Sequence, residues 1–343
     1  MSNFTVHVEQ FEGPIRVEMG QTILDAALEQ GFPYPHGCRS GNCTACKSHV
    51  LEGEIDLLPY SEFALTEAER AAGMILACRA VPWSDCRIAY LEDEEIIVHP
   101  QRLLSCRIAA IERATHDIVV LKLAIESGGP FTFTAGQYAS LECPGLPGRD
   151  FSMAGLPEDD LLEFHIRCVP GGVVSGYIAE RAKIGETVRL RGPFGTAYLR
   201  EAHLGPLILA GGGTGLAPIL SILRAALKRD PRREIALYVG ARDERDLYAS
   251  ERLDALARAH HGVRIERVLS QPRTPTGRRT GFLCDAIRED FPSFAGHKAY
   301  IAGPPIMVET TVAALEANGL TKRDIHADAF FAAETVRRDG VAV

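Results

Sequence analysis

Cys38-Arg39-Ser40-Gly41-Asn42-Cys43-Thr44-Ala45-Cys46 sets three thiols in nine residues at C-x4-C-x2-C spacing, and Cys78 follows after 31 intervening residues. Four cysteines so spaced match the ligand set of a plant-type [2Fe–2S] cluster, three from one loop and the fourth from a later one. Gly41 lets the loop turn and brings its backbone near inorganic sulfide without a side-chain clash. A zinc ribbon needs a second C-x2-C pair, which the sequence lacks. A Rieske centre needs two histidine ligands, and neither His36 nor His49 stands at C-x-H or C-x2-H spacing from a cysteine. The expected metal ligands are Cys38, Cys43, Cys46 and Cys78.

Outward from this loop, residues 4–10 and 15–19 alternate apolar and polar around Glu12-Gly13-Pro14, which predicts a β-hairpin. Thr22 is placed to cap a helix running to about Gln30. Downstream, Lys47–Leu51 and Arg87–Leu91 read as strands, and Thr66–Ala72 as a short helix before Cys78. Hairpin, helix, cluster loop and further strands fit a β-grasp ferredoxin over residues 1–95. The acidic run Glu92–Glu95 and Pro100 mark a linker.

Residues 100–202 carry recurring short strand signals: Cys106–Ile111, Ile118–Ile125, Gln137–Cys143, Leu162–Cys168 and Thr187–Leu190. Gly/Pro turns separate them and one helix, Val174–Arg181, interrupts, as in a small antiparallel barrel. Residues 203–343 change to alternating strands and helices, the pattern of a parallel sheet covered on both faces. The fold class is therefore multidomain, α+β followed by α/β.

The 343 residues suffice for two or three domains. The five cysteines outside the cluster pattern (Cys86, Cys106, Cys143, Cys168, Cys284) show no paired spacing, which argues for a reducing, cytoplasmic setting rather than a disulfide framework. The start has no apolar signal core. Leu204 to Leu223 is twenty residues without a charge, but five glycines and two prolines within it predict a strand, a loop and a helix rather than a membrane span. Residues 1–95 hold 16 acids against 6 bases, while the chain as a whole is −8. An acidic cluster region joined to a near-neutral body suggests docking to a basic partner, or simply a soluble surface. No nucleic acid or membrane partner is expected.

Leu207 to Ala210 followed by Gly211-Gly212-Gly213-Thr214-Gly215 and Leu216 forms a strand, a glycine loop and a helix start. Such a loop admits a pyrophosphate close to the backbone, at the positive end of the helix. Ala302-Gly303-Pro304-Pro305 leaves a later strand in the same way. Two such loops at strand ends place a ligand crevice where open α/β sheets bind.

This order of parts resembles the ferredoxin–NADP reductase-like flavoproteins, and more narrowly the NADH-dependent reductase components of aromatic-ring dioxygenases of the naphthalene dioxygenase reductase type. The segments that carry the resemblance include Phe151-Ser152-Met153-Ala154-Gly155, Glu163-Phe164-His165-Ile166-Arg167, Gly195-Thr196-Ala197-Tyr198, Asp246-Leu247-Tyr248 and Asp328-Ala329-Phe330. It spans residues 4 to 331. The family's R-x-Y-S flavin motif stands here as Arg149-Asp150-Phe151-Ser152. The resemblance implies that Arg149 grips the FAD pyrophosphate, Phe151 packs on the isoalloxazine and Ser152 bonds near flavin N5. Phe in place of Tyr loses a hydroxyl that relatives can use. Gly172-Val173-Val174-Ser175 matches the second flavin motif, G-x-x-S/T, and Ile166 and Arg167 fall where relatives also touch FAD.

Around the nicotinamide, many relatives have Cys before Gly-Pro, where this chain has Ala302. The resemblance assigns the dinucleotide to Gly211, Gly212, Gly213, Thr214 and Gly215 together with Gly303 and Pro304. It makes Phe330 the aromatic covering the flavin and Asp328 the nearby acid, with Phe331 a second candidate for the stacking place. With Ser152, Phe330 and Asp328 make up the implied catalytic set. The implied function is a relay from NADH through FAD and a [2Fe–2S] cluster to a terminal oxygenase or a separate ferredoxin, performed by a monomer. Rival readings are the same relay serving a diiron monooxygenase or a sugar deoxygenation enzyme, and a redox sensor without turnover. Ser270-Gln271 stands where NADPH-choosing relatives place Ser-Arg, and Asp243 adds negative charge nearby, although Arg242 and Arg245 are close. NADH is therefore the expected coenzyme.

Overall fold

The computed structural model describes residues 3–37, 39, 41, 44–62, 64–91, 97 and 99–331. The expectations for Cys38, Cys43, the acidic run Glu92–Glu95 and the chain after Phe331 lie outside the described residues.

The first region is built from β1 (Asn3–Val8), β2 (Ile15–Glu18), α1 (Ile23–Glu29), β3 (Lys47–Glu52), β4 (Ile55–Leu57), α2 (Glu67–Ala71), β5 (Met74–Leu76), β6 (Ala80–Pro82) and β7 (Cys86–Tyr90). Its main sheet runs in the order β2-β1-β7-β3-β5, with β4 and β6 paired beside it. Alternation decides the faces: Val6, Val8, Ile15 and Val17 point into the core, where α1 adds Ile23, Leu24, Ala26 and Ala27. Thr22 caps α1 by accepting from Asp25 N–H at 3.2 Å. Thr66 and Glu69 form a complete capping box on α2. Strands β4, β5 and β6 have three residues each, too few for an alternation to be legible beforehand.

The second region contains β8 (Arg102–Arg113), β9 (Ile118–Ser127), β10 (Tyr138–Glu142), β11 (Arg149–Ser152), β12 (Leu162–Arg167), α3 (Val173–Glu180) and β13 (Thr187–Phe194). Its six strands run β11-β10-β13-β8-β9-β12. A bridge between Met153 and Phe164 brings the two ends together, and Ala154 N–H donates to Glu163 O at 2.8 Å. The result is a nearly closed antiparallel barrel. Its core includes Leu104, Ile108, Leu121, Leu141, Phe164 and Ile166, with Val174 and Ile178 of α3 packed against it.

The third region holds β14 (Leu207–Gly212), α4 (Leu216–Arg229), β15 (Ile235–Ala241), α5 (Ser250–Ala259), β16 (Val263–Leu269), β17 (Arg279–Thr280), α6 (Leu283–Asp290), β18 (Lys298–Gly303), α7 (Pro305–Ala317) and β19 (Ile325–Ala329). The strands are parallel in the order β17-β16-β15-β14-β18-β19. The long uncharged stretch is β14, the glycine turn and the first part of α4. Among the described residues no helix is long and apolar enough to cross a membrane.

Glu69 of the first region meets Lys322 of the third at 3.7 Å. The stretch joining the first region to the second is tied down where Ile97 N–H donates to Tyr198 Oη at 2.6 Å and His99 Nε2 meets Thr134 Oγ1 at 2.8 Å.

Candidate cluster, flavin and nicotinamide sites

Cys46 and Cys78 are both buried, with 1% and 3% exposure. Their segments are stitched together: Ala77 N–H donates to Cys46 O at 3.0 Å, and Lys47 pairs in register with Leu76. The cysteine loop also leans on the residue after Cys78. A Cβ on Gly41 would lie 2.8 Å from Arg79 Cγ and 2.9 Å from Tyr60 Cβ, and Ser61 N–H donates to Gly41 O at 3.0 Å. Cys86 is engaged elsewhere. Its thiol donates to Ser84 O at 3.2 Å and lies under the turn at Gly53, where an added Cβ would be 2.7 Å from its sulfur. Burial pushes that thiol above its ordinary pKa. Two buried thiols brought together beneath a glycine-bearing loop suit soft iron ligation.

On the barrel, β11 pairs with β10 so that Ser152 faces Tyr138, Phe151 faces Ala139 and Arg149 faces Leu141. Arg149 is exposed, Phe151 half-buried against the barrel core, and Ser152 buried. Ile166 is fully buried in that core. Arg167 is held by Asp117 at 2.8 Å, and one guanidinium nitrogen lies 3.6 Å from where a Cβ on Gly213 would stand. Gly172 begins α3 with no side-chain cap. A Cβ there would sit 2.5 Å from Ser175 Oγ and 2.6 Å from Val169 Cγ2, so a larger residue would close the approach to the helix start. Val173 is exposed and Ser175 buried. Uncapped N–H groups at a glycine-opened helix start fit a pyrophosphate.

Tyr138 is a site residue that sequence reasoning missed. Its hydroxyl donates to Gly37 O, one residue before Cys38. Its ring lies 5.6 Å from Phe194, which in turn faces His36 at 5.9 Å. Gly195 makes room for this ring, since a Cβ there would be 2.9 Å from Tyr138 Cδ1. Ser152 and the start of the cysteine loop are thus linked through one cross-strand neighbour. No local pattern marks Tyr138; its importance comes from what the first region packs against.

In the third region both glycine loops leave neighbouring strands, β14 and β18, on the same edge of the sheet. They touch backbone to backbone. A Cβ on Gly215 would fall 2.0 Å from Ala302 O, and one on Gly303, at φ +144, would fall 2.8 Å from Gly212 O. Phe330 N–H donates to Gly303 O at 2.8 Å, and Asp328 pairs in register with Ala302, so the end of β19 closes over the same edge. Phe330 packs against the core on the α4 side of the sheet, whereas Phe331 is 39% exposed. On the outer edge, Asp243 accepts from Arg273 N–H at 3.3 Å and Glu244 binds Arg278 Nε at 2.8 Å. Arg273 and Arg278 there already face carboxylates. Ser270 and Gln271 N–H groups are taken up by Ala241 O and Arg242 O.

Family models match each region: a 2Fe-2S iron-sulfur cluster binding domain at residues 6–83, an oxidoreductase FAD-binding domain at 105–198 and an oxidoreductase NAD-binding domain at 209–313. A reductase component of naphthalene 1,2-dioxygenase/salicylate 5-hydroxylase systems from Ralstonia sp is 42% identical over 325 residues, covering 94% of this chain and 98% of the relative. The chain belongs to the naphthalene dioxygenase reductase family. A second member, the naphthalene 1,2-dioxygenase reductase component of Pseudomonas putida, is 40% identical over 91% of this chain and 94% of its own. Among solved structures, an Amycolatopsis cytochrome P450 reductase superposes with a TM-score of 0.78 at 39% identity, covering 95% of this chain and 98% of that one. As a member of this reductase family the chain is an oxidoreductase with [2Fe–2S], FAD and NAD domains.

Proposed function

We propose that this chain is the NADH-oxidising reductase of a multicomponent aromatic-ring-hydroxylating dioxygenase, passing electrons in series from the flavin site to the cluster and on to the terminal oxygenase or a ferredoxin. NADH and FAD supply two-electron chemistry and the iron–sulfur cluster one-electron transfer, so the protein's task is to place them. Cys38, Cys43, Cys46 and Cys78 hold the cluster. Arg149 and the start of α3 at Gly172, Val173 and Ser175 hold the flavin pyrophosphate, with Ile166 and Arg167 beside it. Phe151 packs against the ring system and Ser152 bonds near N5. Phe330 covers the flavin with Asp328 close by; the exposure of Phe331 favours Phe330 for that place. Gly211 to Gly215, with Gly303 and Pro304, receive the dinucleotide. The functional units are residues 1–95, 100–202 and 203–343. The cysteines outside the cluster pattern (Cys86, Cys106, Cys143, Cys168 and Cys284) form no disulfide among the described residues, which supports a reducing, cytoplasmic setting, where the chain acts as a monomer.

The observation that carries the serial order is the link Ser152–Tyr138–Gly37, which runs from the flavin motif to the cysteine loop. In anaerobic stopped flow with NADH, flavin absorbance should bleach before cluster absorbance, and a purified ring-hydroxylating oxygenase should then be reduced. Cluster bleaching ahead of flavin overturns the order. A fully loaded protein that reduces no such oxygenase overturns the acceptor. NADH should be preferred, because Arg273 and Arg278 face Asp243 and Glu244 and a 2′-phosphate would have to compete with those carboxylates. Equal kcat/KM with NADPH overturns that preference.

A further inference from the structure

Between the barrel and the nucleotide sheet runs a chain of polar side chains that the relay does not use. His165 on β12 is 4% exposed, and both ring nitrogens have partners: Nε2 lies 3.0 Å from Glu163 Oε1 and Nδ1 lies 3.0 Å from Tyr248 Oη. Tyr248 reaches across from the segment before α5. Its ring meets the imidazole edge-on at 5.2 Å, and its hydroxyl lies 3.2 Å from Gly213 O. Arg252 of α5 closes the other end on Glu163 Oε1 at 2.7 Å. The chain is therefore Arg252–Glu163–His165–Tyr248–Gly213, from an ion pair to a carbonyl of the glycine loop. The backbone is strained beside it: Ala249, directly after Tyr248, has φ +55, a left-handed conformation that a residue with a Cβ adopts only when its surroundings hold it there.

Counting protons shows what this chain can do. An ionised carboxylate only accepts, so Nε2 must carry a hydrogen toward Glu163. A tyrosine hydroxyl has one hydrogen to give. If Nδ1 is also protonated, it donates to the Tyr248 oxygen, and the hydroxyl donates to Gly213 O. If Nδ1 is bare, it takes the tyrosine hydrogen, and Gly213 O loses that donor. Burial would raise the Glu163 carboxyl, but the hydrogen bond from His165 and the charge of Arg252 hold it at about 2, so the accepting end stays ionised. Burial pushes Tyr248 far up, so it keeps its hydrogen. The groups around His165 are Glu163 on its own strand, Tyr248 before α5 and Arg252 on α5. Beyond them, Arg224 of α4 is paired with Asp159 at 2.6 Å.

We propose that His165 and Tyr248 are positioning residues for the dinucleotide: His165 orients the Tyr248 hydroxyl, which locks the Gly213 carbonyl. A planar trans peptide points its C=O and the following N–H in opposite directions, so fixing Gly213 O also aims the Thr214 N–H, a donor at the start of the anion-binding helix. The inference rests on the reading of Gly211 to Gly215 as the dinucleotide loop.

The test is calorimetric titration of FAD-loaded full-length protein with ADP-ribose, which carries the pyrophosphate and cannot react, together with steady-state NADH oxidation. Tyr248→Phe and His165→Gln should each bind ADP-ribose about 2- to 12-fold more weakly, the range expected for one hydrogen bond, and should raise KM for NADH with kcat unchanged. The double variant should be no weaker than either single one. Tyr248→Phe removes one oxygen and keeps the ring, so it decides the matter should His165→Gln lose FAD. Wild-type affinity in Tyr248→Phe overturns the positioning role alone. Failure of the wild type to bind ADP-ribose overturns the loop reading, and this inference with it.

Discussion

Gly41 in the cysteine loop and Gly215 in the nucleotide loop would both collide with neighbours on gaining a Cβ, but with different kinds of neighbour. At Gly41 the contacts are side-chain carbons of Arg79 and Tyr60, at 2.8 and 2.9 Å, and the backbone has φ +78. At Gly215 the backbone is helical, with φ −60, and the contact is the main chain of the next strand, Ala302 O at 2.0 Å. The first glycine serves a conformation; the second serves a close approach of two backbones. One loop rests on neighbouring side chains, the other on the main chain of the sheet. Damage to the cysteine loop should therefore remove a cofactor, whereas damage to the nucleotide loop should weaken a ligand.

The largest effect should come from Cys78→Ser in the full chain. Transfer to the oxygenase should drop to background and the red-brown cluster absorbance should vanish, while NADH-dependent ferricyanide reduction persists at the flavin. Cys86→Ser should leave all three unchanged, because its thiol is occupied at the Gly53 turn. The reverse pattern would show that the ligand set is misassigned.

Gly215→Ala should come next. Forcing a methyl against fixed backbone costs about 1–3 kcal/mol, equivalent to roughly a 5- to 150-fold higher Kd for NAD+. Cluster content should not change. Gly41→Ala should do the opposite, with a left-handed penalty of roughly 1–2 kcal/mol appearing as lower cluster loading and no change in NAD+ affinity. Normal NAD+ binding by Gly215→Ala would break the contrast.

Tyr138→Phe probes the join between the regions. Losing one hydrogen bond, worth about 0.5–1.5 kcal/mol, should slow reduction of the cluster about 2- to 12-fold. Ferricyanide reduction at the flavin should be untouched. Equal loss of both rates would place Tyr138 in flavin binding rather than in the join.

The smallest expected effect is on acid stability. Burial would raise Glu69, but its bonds to Thr66 and Lys47 bring it to about 2 from an ordinary 4.5, and Glu163 is held at about 2 as well. A carboxyl depressed on folding contributes stability that is present above its unfolded value and lost as pH falls through the folded one. Both contributions should fade between about pH 4.5 and pH 2. Glu69→Gln should flatten acid loss of cluster absorbance, and Glu163→Gln acid release of flavin. A single shared transition, unaffected by either change, would show that the regions unfold as one.

Much of the fold was legible because it is written in local periods. Thr22 before an apolar helical stripe, alternation at Val6 and Val8, and Ile118 to Ile125 all announced their elements. Strands β4 to β6, β17 and β19 were not legible. Each is five residues or fewer and owes its pairing to a neighbour, as β19 does to β18. The strand at Arg149–Ser152 was recognised as a flavin motif, while its pairing with β10 became visible only in the folded chain.

By itself the sequence determined the candidate cluster ligands, the three-region order and the glycine loops, since thiolate spacing, periodicity and glycine content are properties of short stretches. Only the tertiary structure decided which side chains meet between regions. Tyr138 and Gly37 are 101 residues apart, and His165 and Tyr248 are 83 apart. Such pairs carry no local signature, because a hydroxyl or imidazole finds its partner only after two separately folded cores have packed and removed the competing water.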